Sequence, residues 1–485
     1  MITKTIFEKS QPGRVGYTLP KLKIDRKIED IFPAEYLRKE PPHLPEVSEL
    51  DVMRHYIELS NYNHCIEKGF YPLGSCTMKY NPKINDELSA TPKFTALHPE
   101  QPEETIQGIL KLMYELKNML AEISGMADVS LQPVAGAQGE FTGITMIRAY
   151  HEKNGNARKN IILPDSAHGT NPATSTLNGY KTVEIKSNDK GMIDLSALKE
   201  VADEDTAAFM LTNPNTLGIF EEQVEEIAEI IHNVGAFMYL DGANLNALLG
   251  IVRPGDIGFD VVHFNLHKTF STPHGGGGPG GGPIGVIDKL RTFLPIPQIE
   301  KKDDKYHFNY EIENTIGKVH TFYGNVSQMI RAYVYLYMLG KNGLKRVSEN
   351  AVINANYLMK KIEDYYDVKY KKGVMHEFVA SGSSFNKYGV HTIDIAKRLL
   401  DFGFHAPTVY FPLIVPEALM IEPTETETKE TLDKFADAMI NIAKEAEQNP
   451  QLLKNAPTNT PIKRLDEVRA VKKLNVRFKN STEKH

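Results

Sequence analysis

The chain has 485 residues, of which 41% are hydrophobic and 24% are charged, and its formal net charge is −6 at pH 7. This composition is ordinary for a folded protein long enough for two or three domains, and the charge gives no indication of nucleic-acid binding. No run approaches the roughly 18 apolar residues of a membrane span, and the two cysteines exclude a disulfide framework.

The N-terminal region predicts an arm rather than an independent domain. Residues 1–85 are rich in Pro, Lys and Glu and contain few long periodic segments. They also lack the apolar segment of a secretory signal, so we expect a cytoplasmic protein without membrane or nucleic-acid partners. Apolar residues then recur at helical intervals over residues 104–125, and this segment ends at a glycine, which predicts a helix.

The middle of the chain alternates between β-type and helical segments up to about residue 290. The β-type runs are, in chain order, NIILP, KTVEI, AAFMLT, AFMYLD, VVHFN and PIGVI. Strand, helix and strand at this spacing predict βαβ units and a mainly parallel sheet. We therefore expect an α/β fold with a large domain over residues 86–325, a smaller α+β domain over 326–460 and a basic tail over 461–485.

Polar side chains follow several of these runs, at the sheet edge where ligands gather in such folds. They are His168, Asn213, Asp241, His267 and Lys268. Each one alone has an ordinary explanation as a helix cap, a turn, a hydrogen-bonded core residue or a snorkelling lysine. The glycine-rich stretch 275–282 is not followed by the lysine of a Walker phosphate loop, and VAGAQG lacks the dinucleotide-binding pattern.

Together these residues suit pyridoxal 5'-phosphate. That cofactor needs a lysine for its aldehyde, a carboxylate that keeps its ring nitrogen protonated and a flat group over its ring. It also needs a donor beside its phenolate oxygen and a helix N-terminus for its phosphate. These groups are supplied, in this order, by Lys268, Asp241, His168, Asn213 and the turn over residues 135–138. This turn includes Gly136, Ala137 and Gln138 and enters a helix.

Four longer motifs carry a resemblance to a known family. They are YPLGSCTMKYNP, LQPVAGAQGEFTG, DSAHGTNPA and HKTFSTPHGGGGPGGGPIGV. Over roughly residues 15–455 the chain resembles the P-protein of the glycine cleavage system, glycine dehydrogenase (decarboxylating), and specifically the second subunit of its split, two-chain form. The resemblance implies the PLP-dependent transferase fold, which is aspartate aminotransferase-like (fold type I), with a mainly parallel large domain and a smaller C-terminal domain.

The resemblance also implies roles for individual residues. It makes Lys268 the Schiff-base lysine, Asp241 the partner of the pyridine nitrogen and His168 the residue stacked on the ring. Further cofactor contacts are expected from Asn213, His267, Gly136, Ala137 and Gln138, and no metal is expected. The glycine-rich stretch is interpreted either as a backbone that passes close to the cofactor and leaves a channel for a lipoyl arm, or as packing against a strand.

The implied activity is decarboxylation of glycine, with transfer of the aminomethyl group to the lipoyl arm of the H-protein. The implied partners are glycine dehydrogenase subunit 1 and the lipoylated H-protein, with a heterotetramer of two copies of each subunit. Two alternatives stay open: a stand-alone PLP-dependent amino-acid decarboxylase or aminotransferase, and a non-catalytic partner subunit. The lack of an arginine in ALMIEPTETETKETLD weighs against the aminotransferase.

Cys76 is expected to be a small buried hydrophobe rather than a redox group.

Overall fold

The computed structural model describes residues 3–21, 23, 25–40, 42–275 and 280–477. Two compact units are present. One combines the residues up to Gly69 with those from Ala456 onward, and the other is Phe70–Asn455. The boundaries predicted at residues 85, 325 and 460 stay predictions. None of the described helices combines the length and the apolar character of a membrane span.

The strands are β1 (Asp128–Ser130), β2 (Asn160–Pro164), β3 (Lys181–Ile185), β4 (Thr206–Thr212), β5 (Phe237–Gly242), β6 (Val261–Phe264), β7 (Ile284–Val286), β8 (Gln298–Lys302), β9 (Lys305–Asn309), β10 (Phe378–Ser381), β11 (Thr408–Val409) and β12 (Ala418–Ile421). The α-helices are α1 (Glu49–Ser60), α2 (Lys83–Ser89), α3 (Pro92–Thr95), α4 (Gln107–Ser124), α5 (Gly136–Lys153), α6 (Thr170–Leu177), α7 (Leu195–Val201), α8 (Val224–Asn233), α9 (Val326–Ile362), α10 (Thr392–Asp401), α11 (Lys429–Gln448), α12 (Pro450–Asn455) and α13 (Glu467–Lys472).

Within the described residues, the large sheet has seven strands in the order β1-β7-β6-β5-β4-β2-β3. The strands from β2 to β6 pair in parallel, whereas β7 runs antiparallel to both β6 and β1. Each predicted β-type run is a strand of this sheet, and the mainly parallel arrangement is confirmed. The strand β1 was not predicted, because three residues are too few to show a period.

Both faces of the sheet are covered, which explains why its central strands are apolar throughout. β4, β5 and β6 are buried along their whole length. Alternate residues of a strand point to opposite faces, so Phe209 and Leu211 pack in one hydrophobic cluster while Ala208 and Met210 pack in another. The first cluster includes residues of α4 and α8, and the second includes residues of α5.

The predicted helix over residues 104–125 is confirmed as α4, which ends at Gly125 in the left-handed conformation with φ 73°. The long helix α9 contains a kink at Gly340, where φ is 58°. After α9, a three-stranded sheet of order β10-β12-β11 packs with α10 and α11, in agreement with the predicted α+β character of this region.

Candidate active site

The carboxyl ends of β4, β5 and β6 border a cavity of about 350 Å³. Because these strands are parallel neighbours, the residues that follow them meet at one edge of the sheet. The cavity is lined by several of the predicted residues, namely Gly136, Ala137, His168, Asp241, His267 and Lys268. Asp241 is the second-last residue of β5, and Lys268 lies four residues beyond the end of β6.

Asp241 is held by a chain of polar side chains inside the sheet. Its Oδ1 lies 3.1 Å from Nε2 of His263, which is its register partner on β6. Nδ1 of His263 lies 3.0 Å from the hydroxyl of Tyr239. Burial opposes ionisation of Asp241, but His263 and Lys268 outweigh it and hold the pKa of the carboxyl well below its usual range. Asp241 is therefore a buried, ionised carboxylate.

Glu140 and Asn171 extend this network. The side-chain amide of Asn171 donates to Glu140 Oε1 at 3.0 Å and to Asp241 Oδ2 at 3.2 Å. Burial and the neighbouring charge of Asp241 raise the pKa of Glu140. His263 lies in the segment VVHFN and Asn171 in DSAHGTNPA, but neither residue was predicted as part of the site. A histidine inside the otherwise apolar run VVHF is the signal that marks His263.

Lys268 reaches across the cavity to a separate segment of the chain. Its Nζ donates to the backbone carbonyl of Ser75 at 2.8 Å. Ser75 belongs to the YPLGSCTMKYNP motif, which places this motif beside the lysine. The amine therefore rests on a neutral carbonyl rather than in an ion pair with a carboxylate.

His168 lies in the loop between β2 and α6, at the cavity mouth. Its Nδ1 lies 3.0 Å from the hydroxyl of Thr170, and its ring makes an edge contact with Phe411 at 5.9 Å between centroids. Burial lowers the pKa of His168, so the ring is neutral near pH 7. A neutral, flat ring at this position suits stacking on an aromatic ligand.

The N-terminus of α5 approaches the glycine-rich segment closely. A Cβ on Gly282 would lie 1.9 Å from the carbonyl oxygen of Ala135, and one on Gly139 would lie 2.4 Å from the carbonyl oxygen of Gly282. Glycine is therefore required where helix and strand meet. Free N–H groups at the start of an 18-residue helix favour an anion such as phosphate.

Two half-buried histidines border the same cavity. The rings of His267 and His274 are perpendicular, with centroids 5.4 Å apart. Nδ1 of His267 and Nε2 of His274 have no hydrogen-bond partner among the described residues. Burial, the neighbouring imidazole and Lys268 lower the pKa of His267 to about 3, and burial and Lys268 lower that of His274 to about 4. His274 was not predicted as a site residue, although it lies in the HKTFSTPH segment beside Lys268.

Two predicted residues, Asn213 and Gln138, are not among the described residues that line the cavity. Asn213 accepts the backbone N–H of Glu221 through Oδ1 at 2.9 Å, and it is joined to Pro214 by a cis peptide bond. Gln138 donates to the carbonyl of Val319 at 2.7 Å and accepts from the N–H of Val134. Their predicted cofactor contacts stay predictions. The predicted lipoyl channel falls in part on residues 276–279, which lie outside the described residues.

The lining residues fit pyridoxal phosphate. The cavity volume lies within the range of about 300–1,000 Å³ that small-ligand sites occupy. Its donor set combines an amine (Lys268), an ionised carboxylate (Asp241) and a flat neutral ring (His168). The N–H groups at the start of α5 provide donors for a phosphate.

Comparisons with known proteins show the family of the chain. A family model described as the glycine cleavage system P-protein matches residues 14–306, and one described as the C-terminal domain of glycine dehydrogenase matches residues 347–463. A protein of Chloroherpeton thalassium, named probable glycine dehydrogenase (decarboxylating) subunit 2, is 60% identical over 483 residues, which cover 99% of this chain and 98% of that protein.

Solved structures show the same fold. The structure of glycine decarboxylase (P-protein) of the glycine cleavage system, in an inhibitor-bound form, matches with a TM-score of 0.73 at 21% identity and covers 86% of this chain and 95% of that one. The apo structure of a cysteine desulfurase from Thermococcus onnurineus NA1 matches with a TM-score of 0.61 at 15% identity and covers 78% and 95%. The predicted fold type I architecture is confirmed.

Proposed function

The chain belongs to the family of the glycine cleavage system P-protein, and we propose that it is the second subunit of the split form of this enzyme. Its reaction is the pyridoxal phosphate-dependent decarboxylation of glycine, followed by transfer of the aminomethyl group to the lipoyl arm of the H-protein. The observation that carries this proposal is the presence, in one cavity, of Lys268 and a buried, ionised Asp241.

The proposed roles follow from what each side chain contacts. Lys268 holds the aldehyde of the cofactor, and Asp241 holds the proton on its ring nitrogen. When bound, pyridoxal phosphate supplies an electron sink for the bond between the glycine α-carbon and its carboxylate. His263 keeps Asp241 ionised, so that the ring nitrogen stays protonated. His168 lies at the mouth, where a flat ring orients the cofactor.

The transfer step needs no nicotinamide site in this chain. The aminomethyl carbon bonds to one sulfur of the oxidised lipoyl group, the S–S bond breaks and the second sulfur takes a proton. The lipoyl disulfide is thus the oxidant, because it accepts the electron pair that remains on the α-carbon when the carboxyl carbon leaves as CO2.

A second subunit is part of the proposal, because the relatives are named as one part of a split enzyme. We assign it to the first P-protein subunit, with two copies of each chain in the assembly. The smaller compact unit supports association with another chain, because many of its large apolar side chains are exposed. Among them Leu19 is 82% exposed, and Val471 and Val476 are each 83% exposed. Exposed apolar surface of this kind marks a protein interface.

The cytoplasmic location remains a proposal from the sequence.

The test is exchange of the glycine carboxyl carbon with labelled bicarbonate. The chain loaded with pyridoxal phosphate should give weak exchange alone and strong exchange once the first subunit and lipoylated H-protein are added. Full exchange by this chain alone would contradict the split-enzyme assignment and would leave a stand-alone decarboxylase. Light scattering on the mixture reports the stoichiometry.

A further inference from the structure

The segment that receives Lys268 has an unusual backbone. Ser75 and Thr77 both have positive φ angles, 64° and 46°, although neither is a glycine. We call residues 75–77 the lysine-side turn. Non-glycine residues persist in this conformation only when their surroundings hold them there. The neighbouring Gly74 is packed against Met420, because a Cβ on Gly74 would lie 2.2 Å from its side chain.

Two buried glutamates hold the lysine-side turn. Glu377 Oε2 accepts the backbone N–H of Ser75 at 2.7 Å. Glu422 accepts the backbone N–H of Thr77 at 2.8 Å through Oε2 and the Thr77 hydroxyl at 2.5 Å through Oε1. Both glutamates are fully buried, and neither is among the described residues that line the cavity.

The fold explains why these two side chains reach the same turn. Glu377 immediately precedes β10, and Glu422 immediately follows β12. The two strands are antiparallel, with Phe378 opposite Ile421, so the glutamates lie side by side at the end of the pair. His376 lies with them. Its Nε2 is 3.9 Å from Glu377 Oε1 and 3.8 Å from Glu422 Oε1.

We propose that Glu377 and Glu422 are positioning residues for Lys268. By holding the N–H groups of Ser75 and Thr77, they fix the Ser75 carbonyl that accepts the Lys268 amine. The Ser75 carbonyl accepts the hydrogen bond of the Lys268 amine when the amine is not bonded to the cofactor. This inference rests on the proposed role of Lys268. It gives a function in the site to two residues of the C-terminal sheet, which lie about 110 and 150 residues after Lys268 in the chain.

The test compares Glu422→Met with Glu422→Gln in the full-length, cofactor-free chain. Methionine keeps the length of the side chain but removes both acceptors. Glutamine can accept from the Thr77 N–H and donate to its hydroxyl, because a hydroxyl is also an acceptor. Labelling of Lys268 by an amine reagent at fixed pH, mapped by peptide mass spectrometry, should rise about tenfold in the Met variant, which corresponds to the loss of the single hydrogen bond from the Lys268 amine to the Ser75 carbonyl. The Gln variant should stay within about twofold of the unmodified chain.

A second readout separates positioning from general damage. In the loaded complex the Met variant should lower kcat about tenfold, with the KM for glycine little changed, because Glu422 does not line the cavity. Asp260→Asn is the control for neutralising a buried carboxyl. Asp260 accepts the Met238 N–H at 2.7 Å at the opposite end of β6, so its replacement should leave Lys268 labelling unchanged.

Labelling of the Met variant at the level of the unmodified chain, with a cooperative melting transition retained, would overturn the proposal. If the Met variant does not fold, Thr77→Val removes one of the same bonds and is judged by the same criterion. Because the labelling uses neither cofactor nor glycine, its outcome is separate from the proposed function. That function fails if the cofactor attaches to a different lysine.

Discussion

The carboxylate of Asp241 lies 3.1 Å from Nε2 of His263, its register partner on the neighbouring strand. Neither side chain reaches bulk solvent, and the hydroxyl of Tyr239 contacts the far nitrogen of the imidazole. The pair is therefore built into the sheet itself. A rigid strand positions a functional group more accurately than a loop does, so the ring-nitrogen partner proposed here is supported by the fold.

Asp241→Asn should leave the cofactor bound and lower turnover by about two decades or more, because a neutral amide does not hold a proton on the ring nitrogen. Steady-state exchange of labelled bicarbonate into glycine measures this. The control Asp260→Asn neutralises a buried carboxyl at the other end of β6, and its turnover should fall far less. A near-normal rate in Asp241→Asn would show that another group pairs with the ring.

Replacement of His263 should move the acid limb of the pH–rate profile. Despite the penalty of burial, His263 is the main group that lowers the pKa of Asp241, so its loss raises the pH below which Asp241 becomes protonated. In His263→Leu the acid limb should therefore shift to higher pH. His263→Gln keeps an N–H donor near Asp241 but removes the positive charge. Its acid limb should therefore lie between that of the unmodified enzyme and that of His263→Leu. An unchanged limb in both variants would contradict the assignment.

Gly282→Ala should weaken cofactor binding by at least about tenfold, because the new Cβ would lie 1.9 Å from the Ala135 carbonyl and would push the start of α5 away. Equilibrium dialysis with pyridoxal phosphate measures the affinity. Gly108→Ala is a matched control, because a Cβ there meets no described atom within 4 Å. Equal affinities in the two variants would argue against a phosphate site at this helix start.

His376 should make the protein less stable in acid. It is fully buried, and burial together with Lys268 lowers its pKa to about 3. The unfolded chain binds a proton at this residue below about pH 6.5 and the folded chain does not, so stability is lost as the pH falls from about 6.5 toward 3. The slope from this group is at most about 1.4 kcal/mol per pH unit.

The measurement is urea unfolding between pH 7 and pH 4. His376→Gln should flatten the dependence of the unfolding free energy on pH, whereas the exposed control His43→Gln should not. A slope that is the same with and without His376 would show that its imidazole is protonated in the folded state.

The sequence predicted the parts of the fold and site that depend on local patterns. Each β-type run is a strand, and Lys268, Asp241 and His168 lie at one cavity because residues after parallel strands meet at one edge. Contacts between distant segments were not predictable. The bond from Lys268 to Ser75 joins residues 193 positions apart, and the bonds from Thr77 to Glu422 span 345 positions. No single-sequence pattern links such segments, so the motif around Ser75 was visible while its contacts were not.

The orientation of individual polar side chains also could not be predicted from the sequence. Asn213 follows β4 as predicted, yet its Oδ1 is occupied by the N–H of Glu221. The run VVHF shows a histidine at a buried position, but only the register of β5 and β6 shows that it faces Asp241.

The central claim is that Lys268 holds the cofactor, and borohydride reduction of the loaded protein tests it most directly. After reduction and proteolysis, mass spectrometry should find the reduced pyridoxyl group on the peptide that contains Lys268, and Lys268→Ala should carry none. Lys79 is the informative competitor, since it is buried and paired with Glu425 at 2.8 Å. A pyridoxyl group on Lys79 or on any other lysine, with Lys268 unmodified, would contradict the account.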